Sequence, residues 1–103
     1  MQGIRIGRTA DSLAVEGEID LAVADQLDTA VREALDDGVT VLDLSRVTFL
    51  DSTGLRIILT ASRAVNSGGP LVLRRPSDAV RRVLDVALPG GAPGIEIDDG
   101  DRV

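Results

Sequence analysis

Three times along this chain a short apolar run gives way to an apolar stripe at helical spacing. Leu13, Val15, Gly17 and Ile19 alternate with Ala14, Glu16 and Glu18, and then Val23, Leu27, Ala30, Val31, Ala34 and Leu35 recur every three or four residues. Val39-Thr-Val-Leu-Asp-Leu44 is followed by Leu55, Ile58, Leu59, Ala61, Ala64 and Val65. Leu71-Val-Leu73 is followed by Val80, Val83, Leu84 and Ala87. A period near two that switches to 3.6 and back marks alternating strands and helices. Strands joined through helices run parallel, by right-handed crossovers. Ile4 and Ile6 alternate with polar residues and read as one more strand, placed to pair with the second as a hairpin.

The boundaries have their own chemistry. Asp20 stands where an N-cap of the first helix belongs, and Asp37-Gly38 ends that helix. The second helix is expected over roughly Ser52 to Val65, stopped by Ser67-Gly68-Gly69-Pro70. Ser77 or Asp78 caps the third. The nearly continuous apolar run Val39 to Leu44 suits a central strand covered on both faces. Pro89-Gly-Gly-Ala-Pro-Gly94 is a breaker-rich loop. Ile95-Glu-Ile97 can form a final edge strand, and Asp98 to Val103 reads as a frayed end. The order β-β-α-β-α-β-α-(β) defines a small α/β sandwich: a four- to five-stranded mixed sheet with helices packed on it. The 103 residues make one domain, with an irregular or partly ordered tail over about 89–103.

Composition narrows the function. One Phe and no Tyr or Trp leave no stacking platform for bases. A net charge of −6 disfavours nucleic acid and anionic membrane as partners. All 11 cations are Arg, a coding bias that suggests a GC-rich bacterial source. With no Cys and no His, disulfides, thiol chemistry, the commonest general base and the commonest nitrogen metal ligand are missing. No cofactor is implied. Residues 1 to 10 carry two Arg and no apolar run, so the cytoplasm is the default location.

Chemistry concentrates at one place, Val47-Thr-Phe-Leu-Asp-Ser-Thr-Gly-Leu55. Asp51 can accept from the backbone amides that open the second helix. Ser52 then falls in the first turn, at the positive end of the helix dipole. Gly54 lets a partner approach the backbone. A phosphate on Ser52 would meet free amide donors there. From these residues alone the site is a cap, a phosphate site, or both. Its position at the carboxyl end of a central strand is where α/β folds place functional loops. Asp20, as an N-cap, needs no functional role. Asp43 is on the strand that leads to the site, or is a polar strand-end group that hydrogen-bonds a loop. Arg56, one turn into the helix, is a solvated charge, a phosphate ligand or a partner contact.

Gly17-Glu-Ile-Asp20, the Asp43-Leu-Ser45 strand end and Val47 to Leu55 together resemble the STAS-domain anti-sigma factor antagonists of bacteria. Ser77-Asp-Ala-Val-Arg-Arg-Val-Leu84 is similar to their last long helix, and the likeness covers about residues 4 to 88. The resemblance implies that Ser52 is a phosphoacceptor for an anti-sigma factor with serine-kinase activity. It implies that the unphosphorylated protein binds that kinase and frees a sigma factor, and that a serine phosphatase resets the cycle. Asp20, Asp51, Ser52, Thr53, Gly54 and Arg56 are then the partner-binding residues, with Thr53 a secondary hydroxyl. The breaker-rich stretch from Leu88 to Gly94 departs from the family's short Gly-containing turn. Two other functions compete. One is a STAS adaptor subunit of a lipid-transport or stress-signalling complex that binds without phosphotransfer. The other is an enzyme with Ser52 as nucleophile, which the absence of His, Cys, Lys and a Gly-x-Ser-x-Gly elbow disfavours. No Walker A sequence is present.

Overall fold

The structure is a computed structural model that describes residues 3–65 and 68–100. Ser67 of the expected helix stop and residues 101–103 of the expected frayed end lie outside the described residues. The elements are β1 (Ile4–Arg8), β2 (Leu13–Ile19), a 3₁₀ turn (Leu21–Val23), α1 (Ala24–Asp36), β3 (Val41–Leu50), α2 (Ser52–Arg63), β4 (Leu71–Arg74), α3 (Asp78–Ala87) and β5 (Ile95–Asp98). The strands form one mixed sheet of five in the order β1-β2-β3-β4-β5. β1 and β2 pair antiparallel, as expected of a hairpin, and the other neighbours pair parallel.

Because each parallel crossover steps to the next strand in the same direction, right-handed connections put every helix on one face. Burial agrees. Leu13, Val15, Ile19, Leu42, Leu44, Val47, Leu50, Leu71 and Leu73 share one core cluster with Leu27, Val31, Leu35, Ile58, Val80 and Leu84 of the helices. Glu16, Ser45 and Arg46 on the sheet are exposed. The expectation that Val39 to Leu44 would be covered on both faces is therefore corrected: the sheet is covered on one.

The strand is also longer than its apolar run, reaching Leu50. Its buried residues are Leu42, Leu44, Val47 and Leu50, a spacing of two and then three. Register explains this. Ala14 and Glu16 of β2 oppose Asp43 and Arg46, and Gly17 and Glu18 oppose Val47 and Phe49, so β3 carries an extra residue at each of these two places. Each bulge resets which residue faces inward. Without them, Val47 and Leu50 would not both reach the core. Gly17 lies beside this irregularity at φ 113, and a methyl group there would overlap the Gly3 carbonyl oxygen.

The ends of the helices follow their sequence signals closely. α1 closes in a Schellman pattern: Gly38 donates to the Leu35 carbonyl at 3.0 Å and Val39 to that of Ala34 at 2.8 Å, with Gly38 at φ 84. Asp20 caps the 3₁₀ turn rather than α1 itself, accepting from the Ala22 amide at 3.0 Å. Of the two candidates for α3, Ser77 is the cap, accepting from the Val80 amide at 3.3 Å. Its amide donates to the Leu44 carbonyl at 3.1 Å and its hydroxyl to the Val47 carbonyl at 2.6 Å. Ser77 thus ties α3 to the bulged half of β3.

β5 forms as the edge strand, beside β4. Asp98, expected in the frayed end, instead completes it and pairs with Arg74 at 3.7 Å.

Candidate functional site

The site is built where β2 and β3 end together. Ile19 is in register with Leu50, and the Asp51 amide donates to the Ile19 carbonyl at 3.2 Å. The next residue along each strand is an aspartate, so Asp20 and Asp51 sit side by side at one end of the sheet. Asp51 then turns the chain into α2. One of its carboxylate oxygens, Oδ1, accepts from the amides of Thr53 at 2.9 Å and Gly54 at 3.1 Å. This is the cap expected of it.

Gly54 has a role beyond leaving room for a partner. It is buried, and a methyl group there would overlap the side chains of Leu50 and Ile19. The glycine lets the first turn of α2 settle onto the ends of β2 and β3. The buried line of α2 accordingly runs Gly54, Ile58, Ala61. Leu55 and Leu59, expected on it, lie at its margins, and Ala64 is exposed.

Ser52, the first residue of α2, is exposed. Among the described residues no side-chain hydrogen bond reaches its hydroxyl. Of the amides expected to hold a phosphate there, those after Ser52 itself are already taken. Asp51 Oδ1 already holds the Thr53 and Gly54 amides, and the Leu55 amide bonds to the Asp51 carbonyl at 3.1 Å. A phosphate on Ser52 would project outward, next to the Asp51 carboxylate and near Asp20.

Thr53 is half-buried beneath the cap. Arg56 is exposed one turn along α2, in no ion pair among the described residues. Asp43 lies apart from the site. Its strand continues for seven residues beyond it, so it is not a strand-end group. It accepts from the Ser45 amide at 3.0 Å, the Ser45 hydroxyl at 2.7 Å and Arg75 Nη2 at 2.8 Å. Burial pushes its carboxyl up, but these hydrogen bonds and the Arg75 charge outweigh that and hold it below the ordinary aspartate value. The loop-binding reading of Asp43 is the one the contacts bear out.

The structure adds residues that periodicity did not flag. An open groove runs along Ser52 between α2 and α3, lined by Leu50, Asp51, Leu55, Arg82, Val83, Val86 and Ala87. Val86 is 80% exposed on its rim, Leu21 beside Asp20 is 74% exposed and Phe49 at the end of β3 is 48% exposed. Val86 thus gives the groove beside Ser52 an exposed apolar rim. Leu21 and Val86 stand outside the helical stripes that precede and follow them, which was the one signal available in sequence.

Fold and site together define a small two-layer α/β domain with an exposed serine at a capped helix N-terminus. Residues 3–88 match the family model described as Mlab, STAS domain, and the chain belongs to that family. Solved structures of the same fold include the anti-sigma factor antagonist SpoIIAA in its unphosphorylated form. It is 24% identical, with a TM-score of 0.66 over 92% of this chain and 87% of that one. The Bacillus cell fate determinant SpoIIAA in its phosphorylated form is 24% identical, with a TM-score of 0.61 over 92% and 90%. An anti-sigma factor antagonist from Mycobacterium paratuberculosis is 24% identical, with a TM-score of 0.69 over 93% and 86%. These likenesses establish the STAS fold. Among the described residues no helix is long and apolar enough to cross a membrane.

Proposed function

We propose that this protein is an anti-sigma factor antagonist whose unphosphorylated form docks an anti-sigma factor with serine-kinase activity and so frees a sigma factor. The observation that carries this reading is the exposure of Ser52 beside a largely apolar groove, with no base of its own. The chain has no His, Lys or Cys, and the Asp51 carboxylate is engaged with the helix amides. Such a hydroxyl suits a phosphoacceptor better than a nucleophile. In the transfer, the γ-phosphoryl group of ATP passes to Ser52 Oγ. The hydroxyl proton goes to a base on the kinase and ADP leaves. A serine phosphatase hydrolyses the ester and resets the module. That a neighbour of this fold is known in phosphorylated and unphosphorylated forms supports the reading.

Phosphorylation adds about 1.5 to 2 negative charges at neutral pH. With the Thr53 and Gly54 amides already bound by Asp51, the new charge faces Asp20, Asp51 and any partner that excludes water. A hundredfold loss of affinity corresponds to only about 2.7 kcal/mol, so no change of fold is needed.

A second reading has an observation behind it: Asp51 satisfies the Thr53 and Gly54 amides of α2 without any phosphate. The same face would then serve a STAS adaptor, in a lipid-transport or stress-signalling complex, that binds without phosphotransfer. Incubation with the candidate anti-sigma kinase and ATP separates the two by intact mass. One added phosphate, lost in Ser52→Ala, is the expected result. Binding of the kinase with no added phosphate, or phosphate on another residue, overturns the phosphoswitch.

A further inference from the structure

The groove beside Ser52 has a cation on its far wall. Arg82, on the exposed side of α3, lines it together with Ser52 and Asp51, and no ion pair engages Arg82 among the described residues. Ser77 fixes α3 at this distance from β3 through its bonds to Leu44 and Val47. From α2, Arg56 stands four residues after Ser52, and helical side chains lean toward the N-terminus, over the preceding turn. A phosphate on Ser52 finds no free amide at positions 53 and 54. Its remaining hydrogen-bond donors of opposite charge are these two guanidinium groups.

We infer that Arg82, with Arg56, captures the phosphate of phosphorylated Ser52, so that α3 as well as α2 reads the modification. The inference rests on the proposal that Ser52 is the phosphoacceptor. Guanidinium groups suit the task because their planar forks bind phosphate oxygens in pairs. Capture draws the Arg82 side chain across the groove and covers Val83 and Val86. Phosphorylation then removes apolar docking surface from α3 besides adding charge at α2. The groups facing the phosphate are Asp20 from the end of β2, Asp51 from the end of β3, Arg56 from α2 and Arg82 from α3. The first two raise its second pKa and the last two lower it.

The test installs phosphoserine at position 52 during translation, so no kinase is needed. The phosphate is titrated by phosphorus NMR in the full chain, alongside Arg82→Gln, Arg82→Lys and Arg63→Gln. Arg63, at the far end of α2, controls for net charge. We expect the second pKa to rise by about 0.5 unit in Arg82→Gln, the size of one exposed ion pair, and by less in Arg82→Lys. In Arg63→Gln it should stay put. Val86 methyl resonances should move on phosphorylation in the wild type and stay still in Arg82→Gln. Equal pKa values in wild type and Arg82→Gln, or the same rise in Arg63→Gln, overturn the capture. Failure of a kinase to modify Ser52 would instead sink the switch itself and leave this titration unaffected.

Discussion

The amide of Asp51 donates to the carbonyl of Ile19 across 3.2 Å, and this bond joins the carboxyl ends of β2 and β3. It brings Asp20 beside Asp51, two residues 31 positions apart in the chain. The negative edge of the site is therefore a product of strand register. Ser52 inherits it by being the next residue along.

Asp51→Ala leaves the Thr53 and Gly54 amides without their cap. Unfolding in urea should show a loss of about 1 kcal/mol, within the range measured for N-caps. Asp51→Asn, which keeps an acceptor oxygen, should recover most of it. An unchanged midpoint in Asp51→Ala would contradict the cap.

Gly54→Ala is a substitution that helix propensity alone favours by about 1 kcal/mol. Here the added methyl overlaps Leu50 and Ile19. Overpacking of this kind costs about 1–3 kcal/mol. We expect a net loss of stability in thermal or urea unfolding. A gain would mean that α2 is not seated on the strand ends.

Asp43 has its carboxyl held below the ordinary value in the folded chain. Its contribution is therefore present above the unfolded value, about pH 3.9, and is lost as pH falls through the folded one. The stability difference between wild type and Asp43→Asn should be constant near neutral pH and shrink below about pH 4. A difference that persists undiminished down to about pH 2 would refute the assignment.

Affinity for the partner should respond to charge on either side of the groove. Ser52→Asp and Val86→Asp both alter exposed positions, so their stabilities should stay within about 0.5 kcal/mol of wild type. In titration calorimetry against the anti-sigma kinase each should bind at least tenfold more weakly, which is about 1.4 kcal/mol. Wild-type affinity in Val86→Asp would remove α3 from the docking face.

Much of the layout is legible in the chain because its signals are local. Hydrophobic period separates strand from helix within a dozen residues, and caps such as Asp51, Ser77 and Gly38 act on amides or carbonyls a few residues away. Element order, strand direction, the glycine end of α1 and the capped serine are therefore all written in short stretches of sequence. What tertiary structure decided depends on neighbours that local pattern does not encode. The bulges of β3 exist only in register with β2; the first turns Val47 inward where simple alternation would not, and the second returns Leu50 to the same face. Gly54 is buried because Ile19 and Leu50 converge on it. Leu21, Phe49 and Val86 are exposed, which their apolar character alone does not predict. Arg82 shares a groove with Ser52 because α3, tied to β3 through Ser77, packs beside the start of α2. The capped serine is a matter of four consecutive residues; the charged and apolar surroundings that would make it a switch come from strand register and helix packing.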